Sequence, residues 1–374
     1  MSILKPIAFY LPQFHPIPEN DGWWGKGFTE WTNVAKARPL FDGHWQPRLP
    51  GDLGFYDLRV SETRIAQAEL AKQYGIYGFS YWHYWFAGKQ ILGRPLQEVV
   101  STGQPDFPFC IAWANQTWSG TWHGLSHDQT LIQQTYPGVK DYETHFYSLL
   151  EAFQDSRYIQ VNGKRLFLIF KAMEIPEVHK FIDCWRNLAV KEGIIGFHFL
   201  GMHQHSDWNP KDFGFDGFVQ GFSPWVKYKE FNGYPVSRNI VNRIRERFRS
   251  RRTKPQMPGL PSKVSYKDYV LNYPENEVGV SEYPLICSDW DNTPRSGFDG
   301  WLFKDFSFEL FGNLCFKAFD ATKNKPADQR LVFIKSWNEW AEGNYLEPDQ
   351  KHGHSYLETF SNALTQFKSR TENF

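Results

Sequence analysis

The chain is poor in the features that mark several protein classes. Four cysteines in 374 residues, Cys110, Cys184, Cys287 and Cys315, are widely spaced with no Cys-x-x-Cys pair. That spacing fits reduced core thiols better than a disulfide framework or a cysteine zinc site. Charge of one sign is also missing: 41 Lys and Arg balance 41 Asp and Glu. A duplex-binding surface needs a basic excess, so no nucleic-acid partner is expected. No run of about 18 apolar residues exists, so no transmembrane segment is expected. The first residues, MSILKPIAFYLPQF, carry Pro6 and Pro12 and do not read as a cleavable signal, which makes a cytoplasmic protein the expectation. Neither Gly-x-Gly-x-x-Gly nor Gly-x-x-x-x-Gly-Lys-Ser/Thr occurs, so no phosphate-cradling loop and no nucleotide cofactor are read.

Aromatic residues are abundant instead, 18% of the chain, with 33 Phe, 18 Tyr and 16 Trp. Most of the Phe are needed for a large core. Trp clustered in Gly- and Asn-rich stretches presents flat apolar faces beside hydrogen-bond donors, which suits the C–H faces and hydroxyl rims of sugars.

Apolar, β-branched and aromatic runs recur as strand candidates: Lys5–Phe14, Ile76–Trp82, Phe109–Trp113, Arg165–Phe170, Ile194–Gly201, Asp216–Gly221, Pro284–Ser288 and Leu331–Ser336. Amphipathic segments lie between them. Ile65, Ala68, Ala71 and Tyr74 mark one, stopped by Gly75. Tyr142 to Phe153, Val178 to Leu188 and Tyr356 to Phe367 mark others. Eight strands alternating with helices predict parallel pairing, because parallel neighbours need crossovers. A doubly wound sheet is the rival topology, and the missing glycine fingerprints weigh against it. The expected fold is therefore a (β/α)8 TIM barrel with long loops after the strands, read as one catalytic domain over residues 1–374. Residues 225–280 form its one large insertion, after strand six. The insertion contains RIRERFRSRRTK, Arg243 to Lys254, with six Arg. Such a run is read as a solvated helix face, with weak contact to an anionic surface as the alternative.

Loops after strands carry a barrel's chemistry, and polar and aromatic residues concentrate there. After strand eight comes SWNEWAEGNYLEPD, with Glu339 and Glu342 three apart. In a helical turn that spacing puts both carboxylates on one face. Like charges side by side push one pKa up, leaving an acid next to a base. Acetal cleavage needs such a pair. Flanking Trp337, Asn338 and Trp340 fit an exposed surface pair poorly. Glu30, in FTEW, is a further acid among Trp residues, with structural pairing to Lys36 or Arg38 as its alternative. Trp23, Trp24, Trp31, Trp118 and Trp122 are candidate sugar platforms, with one or two of them as loop anchors. His15, His83 and Asn115 follow strands and are candidate hydroxyl ligands, together with Trp337 and Asn338. His203 and His205 alternate along an extended segment and lack a third ligand, so no metal is expected. In Asp-Trp-Asp, Asp291 is read as a hydroxyl acceptor and Asp289 as a structural partner.

LPQFHPIPENDGWWGKGFTEWTNVAKARPLF, GFYDLR, YWHYWFAGK, FPFCIAWAN, DWDNTPR and WNEWAEGNYLEP together resemble the WbsX family, also called glycoside hydrolase family 99-like. The resemblance runs from about Ile7 to Leu357. It implies a (β/α)8 fold and a place in bacterial O-antigen or capsular polysaccharide metabolism. WbsX proteins are often labelled glycosyltransferases, whereas family 99 enzymes are retaining endo-α-mannosidases and endo-α-mannanases. Their two catalytic carboxylates, three apart after the last strand, match Glu339 and Glu342. By that resemblance Glu339 is the base that takes the proton of a sugar 2-hydroxyl, and Glu342 is the acid, then base, at the glycosidic oxygen and water. The implied intermediate is a 1,2-anhydro sugar, which needs a 2-hydroxyl trans to the leaving group, as in α-manno or α-rhamno sugars. After Trp113-Ala114-Asn115 the family often reads Glu-Asn-Trp-Thr-Arg-Arg-Trp-Asp. Here the chain reads Gln116-Thr117-Trp118-Ser119-Gly120-Thr121-Trp122-His123, so this subsite is expected to differ. A glycoside hydrolase acting on an oligosaccharide or polysaccharide is the functional expectation. A glycosyltransferase and a non-catalytic sugar-binding barrel are the alternatives.

Overall fold

The computed structural model describes residues 4–120, 130–202, 208–221, 260–273, 279 and 281–372. Nine parallel strand segments form a nearly closed barrel: β1 Lys5–Tyr10, β2 Gly78–Phe86, β3 Phe109–Trp113, β4 Lys164–Ile169, β5 Phe197–Gly201, β6 Gly217–Val219, β7 Glu282–Tyr283, β8 Leu285–Cys287 and β9 Leu331–Lys335. Spatial order runs β7-β6-β5-β4-β3-β2-β1-β9-β8. Representative partners are Ile7 with Gly78 and with Phe333, Ile111 with Phe167, and Arg165 with Phe197.

β7 and β8 are the single seventh strand expected from the sequence, cut by Pro284. Proline has no N–H for the ladder. Tyr283 on one side pairs with β6, while Leu285 on the other pairs with β9. At the break the Gln220 side-chain oxygen accepts from Leu285 N at 3.4 Å. Gly217 in β6 answers a steric demand, since a Cβ there would run into the Ser281 carbonyl.

Most strand ends shift by one to three residues from the sequence reading, and two shift further. The first strand stops at Tyr10 and not at Phe14, because the next backbone step is taken by a side chain. Leu11 N donates to Asn338 Oδ1 at 2.7 Å, and Asn338 Nδ2 donates to Leu11 O at 3.1 Å. The second strand runs on to Phe86, where it turns back in a hairpin onto Lys89–Ile91.

Helices cover the outside of the barrel and part of its mouth. They include α1 Pro18–Trp24, α2 Glu30–Lys36, α3 Ser61–Gln73, α4 Arg94–Thr102, α5 Val139–Ser148, α6 Leu150–Gln154, α7 Val178–Lys191, α8 Tyr266–Leu271, α9 Thr293–Ser296, α10 Phe308–Asp320 and α11 Ser355–Glu372. The segment from Tyr142 to Phe153, expected as one helix, is two, broken at Leu149. Apolar faces of the helices pack on the strands: Phe181, Ile182 and Trp185 of α7 are fully buried against Phe167 and Phe199 of the barrel wall. Of the expected insertion at 225–280, the greater part lies outside the described residues, including Arg243 to Lys254. Within it, Ser262–Ser265 pairs in parallel with Trp301–Lys304. No helix among the described residues is long and apolar enough to cross a membrane.

Candidate active site

A cavity of about 400 Å3 opens at the C-terminal ends of the strands. Such a volume lies in the range of small-molecule sites. Phe9, Trp82 and Tyr84 from the strands, Phe170 and Met202 just past the ends of β4 and β5, and Trp24 and Trp118 line it. Trp290 and Trp301, stacked at 5.0 Å and 17°, also line it. Glu30, Arg295, Lys335, Glu339 and Glu342 supply its charge.

Glu339 and Glu342 do not sit on an α-helical turn. Glu339 ends a two-residue strand, Asn338–Glu339, that pairs antiparallel with Asn344–Tyr345. Trp340–Glu342 between them is a 3-10 turn. Three residues per turn eclipse positions i and i+3, so both carboxylates still face the cavity. The turn is clamped from behind. Trp340 stacks on Tyr345 at 3.8 Å, and its indole N–H donates to Glu347 at 2.6 Å. Gly343 closes the turn at φ 64°, where a Cβ would stand 2.8 Å from Asp291 N.

Arg295 is the hub. Its Nε donates to Glu30 Oε1 at 2.8 Å, its Nη1 to Glu342 Oε1 at 2.6 Å, and its Nη2 approaches Glu339 Oε2 at 3.3 Å. Lys335 Nζ lies 3.4 Å from Glu342 Oε2 and 4.9 Å from the centre of the Trp290 ring. Two cations therefore serve three buried carboxyls, and the two candidate catalytic groups divide unequally. Burial, and next Glu342, push the Glu339 carboxyl up to about 7 against the pull of Arg295 and Lys335. Burial also raises Glu342, but Lys335 and Arg295 outweigh it and hold that carboxyl below its ordinary value. These shifts favour the proton on Glu339 and the anion on Glu342. This is the reverse of the protonation states that the roles implied by the resemblance require.

Asp289 and Asp291 both hold the frame. Asp291 accepts from Gln46 Nε2 at 2.8 Å and from Thr293 Oγ1 at 2.6 Å. His44 accepts at Nδ1 from Leu40 N–H and so donates from Nε2 to Asp291, at 2.8 Å. Burial works against the Asp291 anion, yet these donors and Arg48 bring it to about 2. Arg48 also binds Asp289 at 2.8 Å and the Gly343 carbonyl at 3.0 Å, while Asp291 N donates to Glu342 O at 2.7 Å. Asp291 is thus a brace that delivers Arg295 and Glu342 to the cavity; its carboxylate is fully used, which corrects its reading as a hydroxyl acceptor.

Of the other residues singled out from the sequence, Glu30, Trp24 and Trp118 line the cavity. Glu30 pairs with Arg295 and not with Lys36 or Arg38. Trp23 sits behind Trp118, edge to face at 6.0 Å. Several expected ligands are packing or bracing groups instead. Trp31 is buried against Phe14, Tyr56 and Trp340 and donates to Tyr56 O at 2.8 Å. Trp337 is fully buried against Phe79. Asn115 ties Lys171 N at 2.7 Å, Lys171 O at 3.0 Å and Tyr136 Oη at 2.8 Å. Asn338 holds Leu11, and His83 shares a 2.8 Å hydrogen bond with His145. His15 is buried outside the cavity lining. Trp122, His203 and His205 lie outside the described residues. Arg295, Lys335, Trp290 and Trp301 are among the cavity residues the sequence reading missed, although DWDNTPR contains both Trp290 and Arg295. Three acids gathered at one mouth require a nearby cation, which is the signal that points to Arg295. Among the described residues no group of three or more His, Cys, Asp or Glu is placed to hold a metal.

A profile of the family described as "Glycosyltransferase WbsX" matches residues 6–360. "Uncharacterized protein WxcX" from two strains of Xanthomonas campestris pv. campestris is 36% identical over 366 residues, covering 96% of this chain and 49% of that protein. The chain therefore spans about half the length of these curated relatives. Among solved structures it is similar to a GH99 endo-alpha-mannosidase from Bacteroides thetaiotaomicron in complex with bis-tris-propane, at TM-score 0.56 and 14% identity over 100% of both chains. A second structure of a GH99 endo-alpha-mannosidase from that organism gives TM-score 0.54 at 14% identity, again over 100% of both chains. A "Glycoside hydrolase-like protein" gives 0.53 at 14% identity, covering 97% of this chain and 94% of that one. At such identity the structural likeness is one of fold, whereas the sequence match spans nearly the whole chain. The chain belongs to the family described as glycosyltransferase WbsX.

Proposed function

We propose that the protein cleaves internal α-manno- or α-rhamno-configured linkages of a bacterial polysaccharide, O-antigen or capsule, with Glu339 and Glu342 as its acid–base pair. The observation that carries this reading is the pair itself: two buried carboxyls on one turn in an aromatic-lined cavity, one pushed up by burial and the other held down by Lys335 and Arg295. Trp24, Trp118, Trp290 and Trp301, all in the cavity lining, give sugar rings flat surfaces to stack on.

Glu339 accepts the 2-hydroxyl proton, the freed O2 attacks C1, and Glu342 gives a proton to the departing glycosidic oxygen. Water then opens the 1,2-anhydro ring, with Glu342 removing its proton and Glu339 returning one to O2. These roles require the proton resting on Glu339 in the free site to pass to Glu342 as the sugar enters. Arg295 contacts both carboxyls, so a shift of the guanidinium towards Glu339 frees Glu342 to take it. The retaining outcome follows from two successive displacements at C1.

The family description favours a second reading, transfer from a nucleotide sugar during polysaccharide synthesis. Glu339→Gln and Glu342→Gln separate the readings and the roles. If the reading holds, both variants bind glycan and lose turnover. A substrate with a leaving group that needs no proton then restores the first step in Glu342→Gln but not in Glu339→Gln. Full turnover by either variant on an unactivated linkage refutes the proposal.

A further inference from the structure

Glu30 is the cavity acid to which the reaction above gives no task. It opens α2, where its N–H donates to Gln13 O at 3.0 Å and Thr29 forms a capping box with Thr32. The backbone is held at this point. The next residue, Trp31, packs on Trp340 of the Glu339–Glu342 turn, with ring centres 5.6 Å apart. Adjacent residues thus touch the turn and Arg295. The Glu30 side chain is 1% exposed, and its Oε1 accepts from Arg295 Nε at 2.8 Å and from Asn33 Nδ2 at 3.3 Å. Burying a carboxylate is costly, and an amide oxygen accepts from an Arg N–H without that cost. What the carboxylate adds over an amide is its charge.

That charge falls on the guanidinium that Glu339 and Glu342 share. A guanidinium is a planar fork with its donors in fixed directions. Held at Nε by Glu30, the fork moves by turning about that contact, which trades the 2.6 Å bond to Glu342 against the 3.3 Å approach to Glu339. We propose that Glu30 is a positioning residue of the pair: it anchors the pivot of Arg295, and its charge, set against the guanidinium's, keeps a proton between Glu339 and Glu342. Without that charge the guanidinium draws both carboxyls towards their anions, and the pair has no proton to hand on. Burial and Glu342 push the Glu339 carboxyl up, and Glu30 adds to them while Arg295 and Lys335 oppose. Tyr84, which also interacts with Glu339, stays a neutral hydroxyl because burial raises it. For its place in catalysis the inference rests on the glycan reading above, and it names what regulates the proton of that site.

Glu30→Gln tests it in the intact protein, by carboxyl 13C NMR of glutamate-labelled chains with Glu339→Gln to assign the resonance. The Glu339 resonance should titrate about half a pH unit or more below the wild-type midpoint of about 7, because a neighbouring negative charge has gone. Glu30→Asp, which keeps the charge, should titrate closer to wild type than the amide does. The alkaline limb of kcat/KM on a cleaved glycan should move down together with the resonance. A part confined to holding α2 in place moves neither. Glu30→Ala is the second neutral variant should the amide fail to fold. A Glu339 midpoint that stays or rises in the neutral variant overturns the inference and leaves the glycan reading standing. A midpoint that falls as expected, in a protein whose wild type cleaves no glycan, overturns the glycan reading and upholds the hold of Glu30 on the proton.

Discussion

Removing the charge of Glu339 should make the protein more stable at neutral pH while silencing the site. The carboxyl titrates at about 7 in the folded protein against an ordinary value of 4.5, pushed up by burial and then by Glu342. Between those values the folded state binds more protons than the unfolded chain, so wild-type stability falls as pH rises from 4.5 to 7. Above that window the cost is complete, at about 3 kcal/mol. Glu339→Gln escapes it, but gives up the 3.3 Å charged contact with Arg295, worth about 1 kcal/mol. The net gain is then about 2 kcal/mol, or about 2–3 °C in Tm for a chain of 374 residues. Thermal unfolding of both proteins from pH 4 to pH 8.5 provides the assay. The variant should melt higher above pH 7, and its advantage should shrink to nothing or reverse below pH 4.5. A variant that melts lower than wild type at pH 8, or a difference that does not change with pH, refutes the electrostatic account of the pair.

Glu347 provides the contrast, because burial also pushes its carboxyl up to about 7. It accepts from Trp340 Nε1 at 2.6 Å, Gln67 Nε2 at 2.6 Å and Tyr56 Oη at 2.8 Å, so an amide in its place faces three donors with one oxygen. Gln67 cannot flip to help, since its oxygen already accepts from Tyr10 at 2.6 Å. Glu347→Gln should therefore lower stability by about 1–3 kcal/mol at pH 7, read by urea unfolding; a stabilised variant contradicts this. Gly343→Ala puts a Cβ 2.8 Å from Asp291 N at a positive φ, and should cost about 1–3 kcal/mol together with a fall in kcat. The pH profile of kcat/KM should decline as pH rises through about 7, where the pair loses its shared proton, and that limb should be absent from the residual rate of Glu339→Gln.

Barrel architecture was legible because its strands are short, apolar and regularly alternated with helices, and because period and length survive folding. Boundaries were less so. The first strand ends where a side chain, Asn338, replaces a neighbouring strand, which no local pattern reveals. The break in the seventh strand was written in Pro284, a residue without the N–H a central strand uses. In the site, the spacing and aromatic setting of Glu339 and Glu342 drew attention to the turn that does face the cavity, although the turn is 3-10 and not α. Polar residues after strands were harder to sort, because bracing and binding use the same side chains. Asn115, Asn338 and Asp291 have the chemistry of hydroxyl ligands, and each is spent on backbone or loop partners that only the folded chain brings near. Arg295 was passed over for the opposite reason, since its three carboxyl partners come from positions as far apart as Glu30 and Glu342.

Cleavage of a glycan by Glu339 and Glu342 without a nucleotide donor is tested by incubating the purified protein with defined α-manno- and α-rhamno-oligosaccharides and with isolated O-antigen, counting new reducing ends with and without nucleotide sugars. Reducing ends should form in the absence of any nucleotide and be lost in Glu342→Gln. No cleavage, with chain extension on addition of a nucleotide sugar, contradicts it and establishes the transferase.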